Sequence, residues 1–167
     1  MIFWYNFTKK GKNMKKAFTM VELIFVIVVI GILATIAIPK FSATRDDAVL
    51  TKAKTTVANL RSSLSSEVQR RMLSGNYTAV NDLGGTVNSY DTPIFDYFDS
   101  NNSNPRVLEY PLRTCKTSTA TGCWLRTGTN SYQFKFPNSI GGVADFSVTN
   151  NRFECTSDWE KCKYLDK

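Results

Sequence analysis

Hydrophobic residues follow three different rhythms along this chain. From Leu23 to Ile38 they run unbroken, LIFVIVVIGILATIAI, sixteen residues without a charge, and Phe18 to Val21 extend the run across one acid, Glu22. At a helical rise of about 1.5 Å per residue, residues 18–38 span roughly 30 Å, the thickness of a bilayer's hydrocarbon core. A buried core helix passes the same length test, but so continuous a β-branched and Leu run favours a membrane span. Beyond Pro39 the apolar positions thin to a helical stripe: Val49, Ala53, Val57, Leu60, Leu64, Val68 and Met72. Arg45, Lys52, Lys54, Asn59, Arg61 and Gln69 fill the other face. Pro39 lacks an N–H and clashes with the preceding turn, so it bends the helix rather than ending it. Gly75, after Ser74, is a stop signal. The prediction is one helix from Phe18 to about Ser74, roughly 85 Å long at the standard rise, packed by its second half on a sheet. A coiled coil of about four heptads fits the stripe as well.

The third rhythm is that of short strands. RVLEYPL, CWLRT, SYQFKF, VADFSVT and RFEC follow one another from Arg106, and Tyr132, Phe134 and Phe136 alternate with Gln133 and Lys135 as a half-buried strand requires. Gly128-Thr129-Asn130 joins one candidate hairpin, and Asn150-Asn151 suits a two-residue turn with positive φ in another. The expected architecture is α+β: a long N-terminal helix, its first half transmembrane, on a small antiparallel sheet of about four strands. Residues 75–105, rich in Gly, Asn, Asp and Ser, read as a long, partly ordered connection with apolar islands at Ile94-Phe95 and Tyr97-Phe98. The oxygens of Asp91, Asp96, Asp99, Asn101, Asn102 and Asn104 are of the kind calcium takes. No EF-hand spacing is present, so turn chemistry is their expected role.

Composition narrows the chemistry. The 167 residues contain no His, which removes imidazole metal sites, His-based triads and the commonest general base. Glu109, Asp145 and Tyr132 have no nucleophile and base constellation around them, so no enzyme is expected. The net charge of +7 is concentrated at one end. Lys9, Lys10, Lys12, Lys15 and Lys16 precede the apolar run, and residues 18–167 carry 16 basic and 14 acidic side chains. Lysines before the run, and Lys40 and Arg45 offset by Asp46 and Asp47 after it, place the N-terminus in the cytoplasm and the rest outside. A secretory signal peptide shares the charged start, but its apolar region is shorter and ends at a small-residue cleavage site, which ATIAIPKFS does not supply. Arg70 and Arg71, near Arg61, are expected to be a solvated helix end rather than a nucleic-acid patch. Outside the cytoplasm the four cysteines should oxidise. Cys115 with Cys123 and Cys155 with Cys162 are the expected disulfides, out of three possible pairings.

Glu22 is the odd residue in the run. A carboxylate near the end of an apolar helix costs a few kcal/mol without a partner. It meets water at headgroup level, or it pairs with a free amine formed at Phe18 of its own or a neighbouring chain.

The ordered set KKAFTMVELIFVIVVIGILATIAIP resembles the prepilin signature of type IV pilins and of the pseudopilins of type II secretion and DNA-uptake machines. It covers about the first quarter of the chain. The resemblance implies that an inner-membrane aspartic peptidase cuts between Ala17 and Phe18 and methylates the new amine of Phe18. The family usually has Gly before the cut; Ala17 is the next smallest side chain. Glu22 is then assigned to methylation and subunit registration, with Pro39 part of the assembly helix. Met14 begins a complete short leader, MKKA, and is the expected natural start.

The resemblance divides the chain into a basic leader (1–17), a transmembrane and assembly helix (18–38), its soluble continuation (39–75) and a periplasmic or extracellular head (76–167). It implies a structural subunit of a type II secretion or DNA-uptake filament, or else a pilus pilin. The partners would be prepilin peptidase, other copies and related minor pseudopilins, an inner-membrane platform and an assembly ATPase, with nucleic acid only as cargo. It implies no cofactor beyond the calcium question, and a C-terminal disulfide loop as a surface contact. A monomeric membrane-anchored binding module remains the competing class.

Overall fold

The structure, a computed structural model, describes residues 18–166, apart from the side chains of Pro39, Ser42 and Ala43; the leader, Ala17 and Met14 lie outside the described residues. The chain divides into two compact units, Met1–Lys40 and Phe41–Lys167. One helix, α1 (Met20–Leu73), passes through both and continues through position 39.

In the first unit, α1 carries the apolar run. Met20–Ile38 is long and apolar enough to cross a membrane, and none of it is buried among the described residues. In the second unit, α1 ends where Gly75 turns left-handed at φ 74°. The Asn76 N–H donates to Arg71 O (2.9 Å) and the Gly75 N–H to Met72 O (3.1 Å), the paired bonds of a Schellman stop.

Ala53, Val57, Leu60 and Leu64 are at most 2% exposed and form the core line of α1, with Val49 and Val68 half-buried beside it. Met72 departs from the expected stripe and is 53% exposed. The cause is rotation: at about 100° per residue, steps of four drift off the axis, so by Met72 the stripe has turned about 120° away from Leu60. The positions that return beneath Leu60 are seven and eleven residues on, Glu67 and Arg71, and both are buried.

The sheet is an antiparallel meander of four neighbouring strands: β3 (Cys123–Arg126), β4 (Ser131–Lys135), β5 (Val143–Thr149) and β6 (Arg152–Cys155). Trp124, Tyr132, Phe134, Ala144, Phe146, Val148 and Phe153 alternate inward and make one core with the α1 line. Phe146 stacks on Phe153 with ring centroids 4.9 Å apart. The β5–β6 turn is Asn150-Asn151, both left-handed at φ 49° and 65°, as a type I′ turn demands. The turn also anchors chain far away: Asn151 Oδ1 accepts the Val80 N–H (2.7 Å) and Asn81 Oδ1 accepts the Asn150 N–H (3.0 Å).

Two expectations change. RVLEYPL does not form a strand along its length. Only Leu112, in β2 (Leu112–Arg113), pairs in a strand, with β1 (Pro93–Ile94), and Arg106 makes an isolated bridge to Tyr97. Pro105, just before the segment, and Pro111, within it, supply no N–H. Residues 75–105 are packed rather than a loose connection: Val80, Leu83, Ile94, Phe95 and Phe98 are at most 2% exposed. Phe95 lies edge-on to Trp124 at 5.5 Å and 5.0 Å from the Tyr132 ring.

A short helix, α2 (Trp159–Asp166), follows β6. Disulfides join Cys115 to Cys123 and Cys155 to Cys162. The second bridge, buried Leu165 and an Arg61–Asp166 ion pair at 2.6 Å hold α2 in place. Replacing Cys155 and Cys162 together by Ala is expected to cost about 2–3 kcal/mol by the loop-entropy argument. Thermal unfolding against wild type measures it.

Candidate functional site

The N-terminal end of α1 is built by a local hydrogen bond. Thr19 Oγ1 accepts the Glu22 backbone N–H at 3.2 Å, and Thr19 O accepts the Leu23 N–H at 3.2 Å, so Thr19 is the cap and Glu22 the third helical residue. The Thr-x-x-Glu spacing is that of a capping box. Glu22 therefore stands in the first turn, where the helix dipole favours negative charge. Phe18 lies four residues before it, about one turn away, and is 81% exposed. The sequence marks Glu22 by its charge. Its capping context is legible only once Thr19 is recognised as the residue that starts the helix.

This carboxylate stands at the head of a bare apolar surface. Leu23, Ile24, Phe25, Ile27, Ile30 and Leu33 are each more than half exposed. An uncovered stretch of this extent marks a lipid or protein contact. The segment provides an apolar rod with one acid at its start, a combination suited to insertion and stacking. Among the described residues it has no arrangement for bond making. The side chain of Pro39 lies outside the described residues.

The head's polar groups are engaged with one another. Arg70 and Arg71 both bind Glu67 at 2.7 Å, and Arg71 also binds Asp99 at 2.5 Å. Arg61 donates to Phe153 O and Asp166. All three arginines make ties within the head; the expectation of a solvated helix end is corrected at Arg71, which is buried, while Arg70 stays more than half exposed. The inward rotation of α1 at positions 67 and 71 is the reason.

The Arg70 hydrogen bond, opposed by burial and aided by Arg71, holds the Glu67 carboxyl below the ordinary carboxylate range. A carboxyl depressed by folding stabilises fully above its unfolded pKa of roughly 4.3 and loses that contribution as pH falls through the folded value. Thermal melts taken from about pH 6 down to about pH 3 should therefore show a falling midpoint, with a shallower fall in Glu67→Gln.

Most of the candidate calcium residues are engaged within the fold. Asp91 pairs with Arg113 at 2.7 Å, Asp96 Oδ1 accepts the Tyr97 N–H, Asn101 Oδ1 the Ser103 N–H, and Asn104 Nδ2 donates to Phe98 O. Asp145 accepts from Gln133 Nε2 (2.8 Å), Glu109 is exposed, and Tyr132 is buried. Burial first, then the nearby Asp82 charge, pushes the Tyr132 hydroxyl well above its usual pKa, so it stays protonated as it donates to Asp82 Oδ1 at 3.0 Å.

The tie that sequence reasoning misses is Arg126. Its five N–H groups reach Gly128 O, Gly85 O, Ser100 Oγ, Asp82 Oδ2 and Thr129 O at 2.5–3.0 Å. It is 4% exposed and joins β3 to the packed segment that precedes it. An inward-facing Arg opposite Tyr132 in the strand register is the signal that could have found it.

Residues 12–38 match the family model described as the prokaryotic N-terminal methylation motif. No curated protein matches the chain, and no solved structure matches it. The motif marks the type IV pilin and pseudopilin family, and the long apolar helix followed by a four-stranded antiparallel sheet is a pilin-like α+β arrangement. Proteins of that family are structural rather than enzymatic, and the apolar helix suits an inner-membrane anchor.

Proposed function

We propose that this chain is a pseudopilin, a structural subunit of a type II secretion or DNA-uptake filament. Prepilin peptidase cuts between Ala17 and Phe18 and methylates the new amine. The processed subunit stands in the inner membrane with its N-terminus cytoplasmic and its head periplasmic. A platform protein and an assembly ATPase then add it to a helical stack of its own copies and related minor subunits. Nucleic acid enters only as cargo.

The observation that carries this reading is Glu22, in the first turn of an uncovered apolar helix that bears the methylation motif. Lipid tails and neighbouring apolar helices are similar solvents for that helix. Moving it from one to the other gains far less than the roughly 25 cal/mol per Å² of transfer from water. Pairing of Glu22 with the Phe18 amine of a neighbour then decides register.

Deletion in the native bacterium tests it. The expected result is a secretion or transformation defect, together with short periplasmic assemblies in wild type that contain this chain. Abundant surface fibres built of it would instead assign it to a pilus. A chain that remains solitary in mild-detergent extracts of cells with an active machine would contradict assembly altogether.

A further inference from the structure

Two Asn-x-Ser/Thr triplets lie among the described residues, Asn76-Tyr77-Thr78 and Asn101-Asn102-Ser103. Such a triplet is the acceptor signal for N-glycosylation when it is exposed outside the cytoplasm. The second stands inside the longer form Asp/Glu-x-Asn-x-Ser/Thr that bacterial oligosaccharyltransferases read: Asp99-Ser100-Asn101-Asn102-Ser103. The first has Ser74 where the acid would be.

All five residues from Asp99 to Ser103 are exposed, on a loop turned outward by left-handed Asp99 (φ 57°) and Ser100 (φ 51°). Asn101 Oδ1 accepts the Ser103 N–H at 3.0 Å, and Asn101 Nδ2 makes no hydrogen bond among the described residues. Arg71 holds Asp99 through Oδ2, and the Asp99 side chain is still 38% exposed. The fold itself uses Asp99 as an ion-pair partner.

We propose that Asn101 is an N-glycosylation site, selected through Asp99 and Ser103 by a membrane-bound oligosaccharyltransferase whose donor is a polyprenyl-diphosphate-linked oligosaccharide. In the transfer, Asn101 Nδ2 forms a bond to the sugar's anomeric carbon as the bond from that carbon to the diphosphate oxygen breaks. The electron pair leaves with the polyprenyl diphosphate, and the displaced amide proton passes to a base of the transferase. The proposal rests on the topology given above, with the head on the translocated side of the membrane. A sugar here would project from the exposed loop without displacing a core side chain.

The test is expression of the full chain in a bacterial host with and without an acid-requiring bacterial oligosaccharyltransferase and its lipid-linked donor, read by intact mass. Fragmentation of the tryptic peptide 72–106, which holds both triplets, places the sugar. The expected result is one oligosaccharide, on Asn101, with Asn76 bare. It should be absent in Asn101→Gln and in Asp99→Asn, and retained in Asp99→Glu. Ser103→Ala keeps the backbone N–H that bonds Asn101, so loss of the sugar in that variant reports recognition rather than misfolding. A bare Asn101 on a head that external protease reaches in spheroplasts, in cells that modify a control acceptor peptide, overturns the glycosylation alone. A head that such protease cannot reach overturns the topology, and the glycosylation with it. Sugar on Asn76 with Asn101 bare also overturns it.

Discussion

Glu22→Ala should leave the chain processed and membrane-inserted while its recovery in assembled filaments falls at least about tenfold, the factor that about 1.4 kcal/mol commands. The expectation follows from the balance at this position. Removing the carboxylate makes α1 more apolar and easier to hold in lipid, because a charge there costs a few kcal/mol. It also removes the attraction that fixes one helix against the amine of the next. If apolar contact alone drove stacking, Glu22→Ala would assemble as well as wild type or better, since all the exposed Leu, Ile, Val and Phe side chains remain. A monomeric anchored module would show no difference either. Glu22→Gln keeps the shape and the capping position without the charge and should fail like Ala. Thr19→Ala, which removes only the cap, should cost roughly 1 kcal/mol of helix stability and assemble more nearly as wild type does. Comparison of pelleted filaments with membrane fractions measures all three.

The largest effect within the head is expected at Arg126. Arg126→Met keeps much of the apolar stem but removes the cationic partner of the Asp82 carboxylate, 13% exposed, which keeps only its Tyr132, Gly84 and Ser100 donors, and takes the guanidinium donors from three carbonyl oxygens. Breaking a buried ion pair by removing one partner costs about 3–5 kcal/mol. Against a typical domain stability of about 5–15 kcal/mol, that brings the head near its unfolding limit. At about 4 °C per kcal/mol, the melting temperature should fall by about 12–20 °C. Arg126→Lys retains the charge but offers at most three donors in place of five, and should fall between the two. Asp82→Asn should be milder than Arg126→Met, because the amide oxygen keeps one of the two acceptor positions, toward Arg126 or toward Tyr132, while the guanidinium keeps its carbonyl partners. Equal melting temperatures for Arg126→Met and wild type would mean that the network contributes nothing.

The parts of this molecule that were legible in the sequence are those set by local pattern. A continuous apolar run, the alternation of Tyr132, Phe134 and Phe136, and Asn150-Asn151 between two strands each declare their local conformation, and the helix, sheet and turn follow them. The parts that were not legible depend on rotation or on distant partners. A stripe read in steps of four loses the true helical face after two or three turns. It therefore included Met72 and passed over Glu67 and Arg71, which point inward as a compensated pair. Arg126 looks like an ordinary strand residue until Asp82 and Ser100 arrive beside it from over twenty residues away. Helix α2 is only eight residues long, too short for periodicity to declare, and is held by contacts with β6 and α1. At the candidate assembly site, the charge of Glu22 and its spacing from Phe18 could be read directly.

Intact-mass and N-terminal sequencing of the chain purified from its native membrane tests the central claim most directly. The account predicts a mature polypeptide that begins at N-methylated Phe18 and lacks the five leader lysines. A chain that retains those lysines, or that starts at Phe18 with an unmodified amine in cells whose other prepilins are methylated, would contradict it.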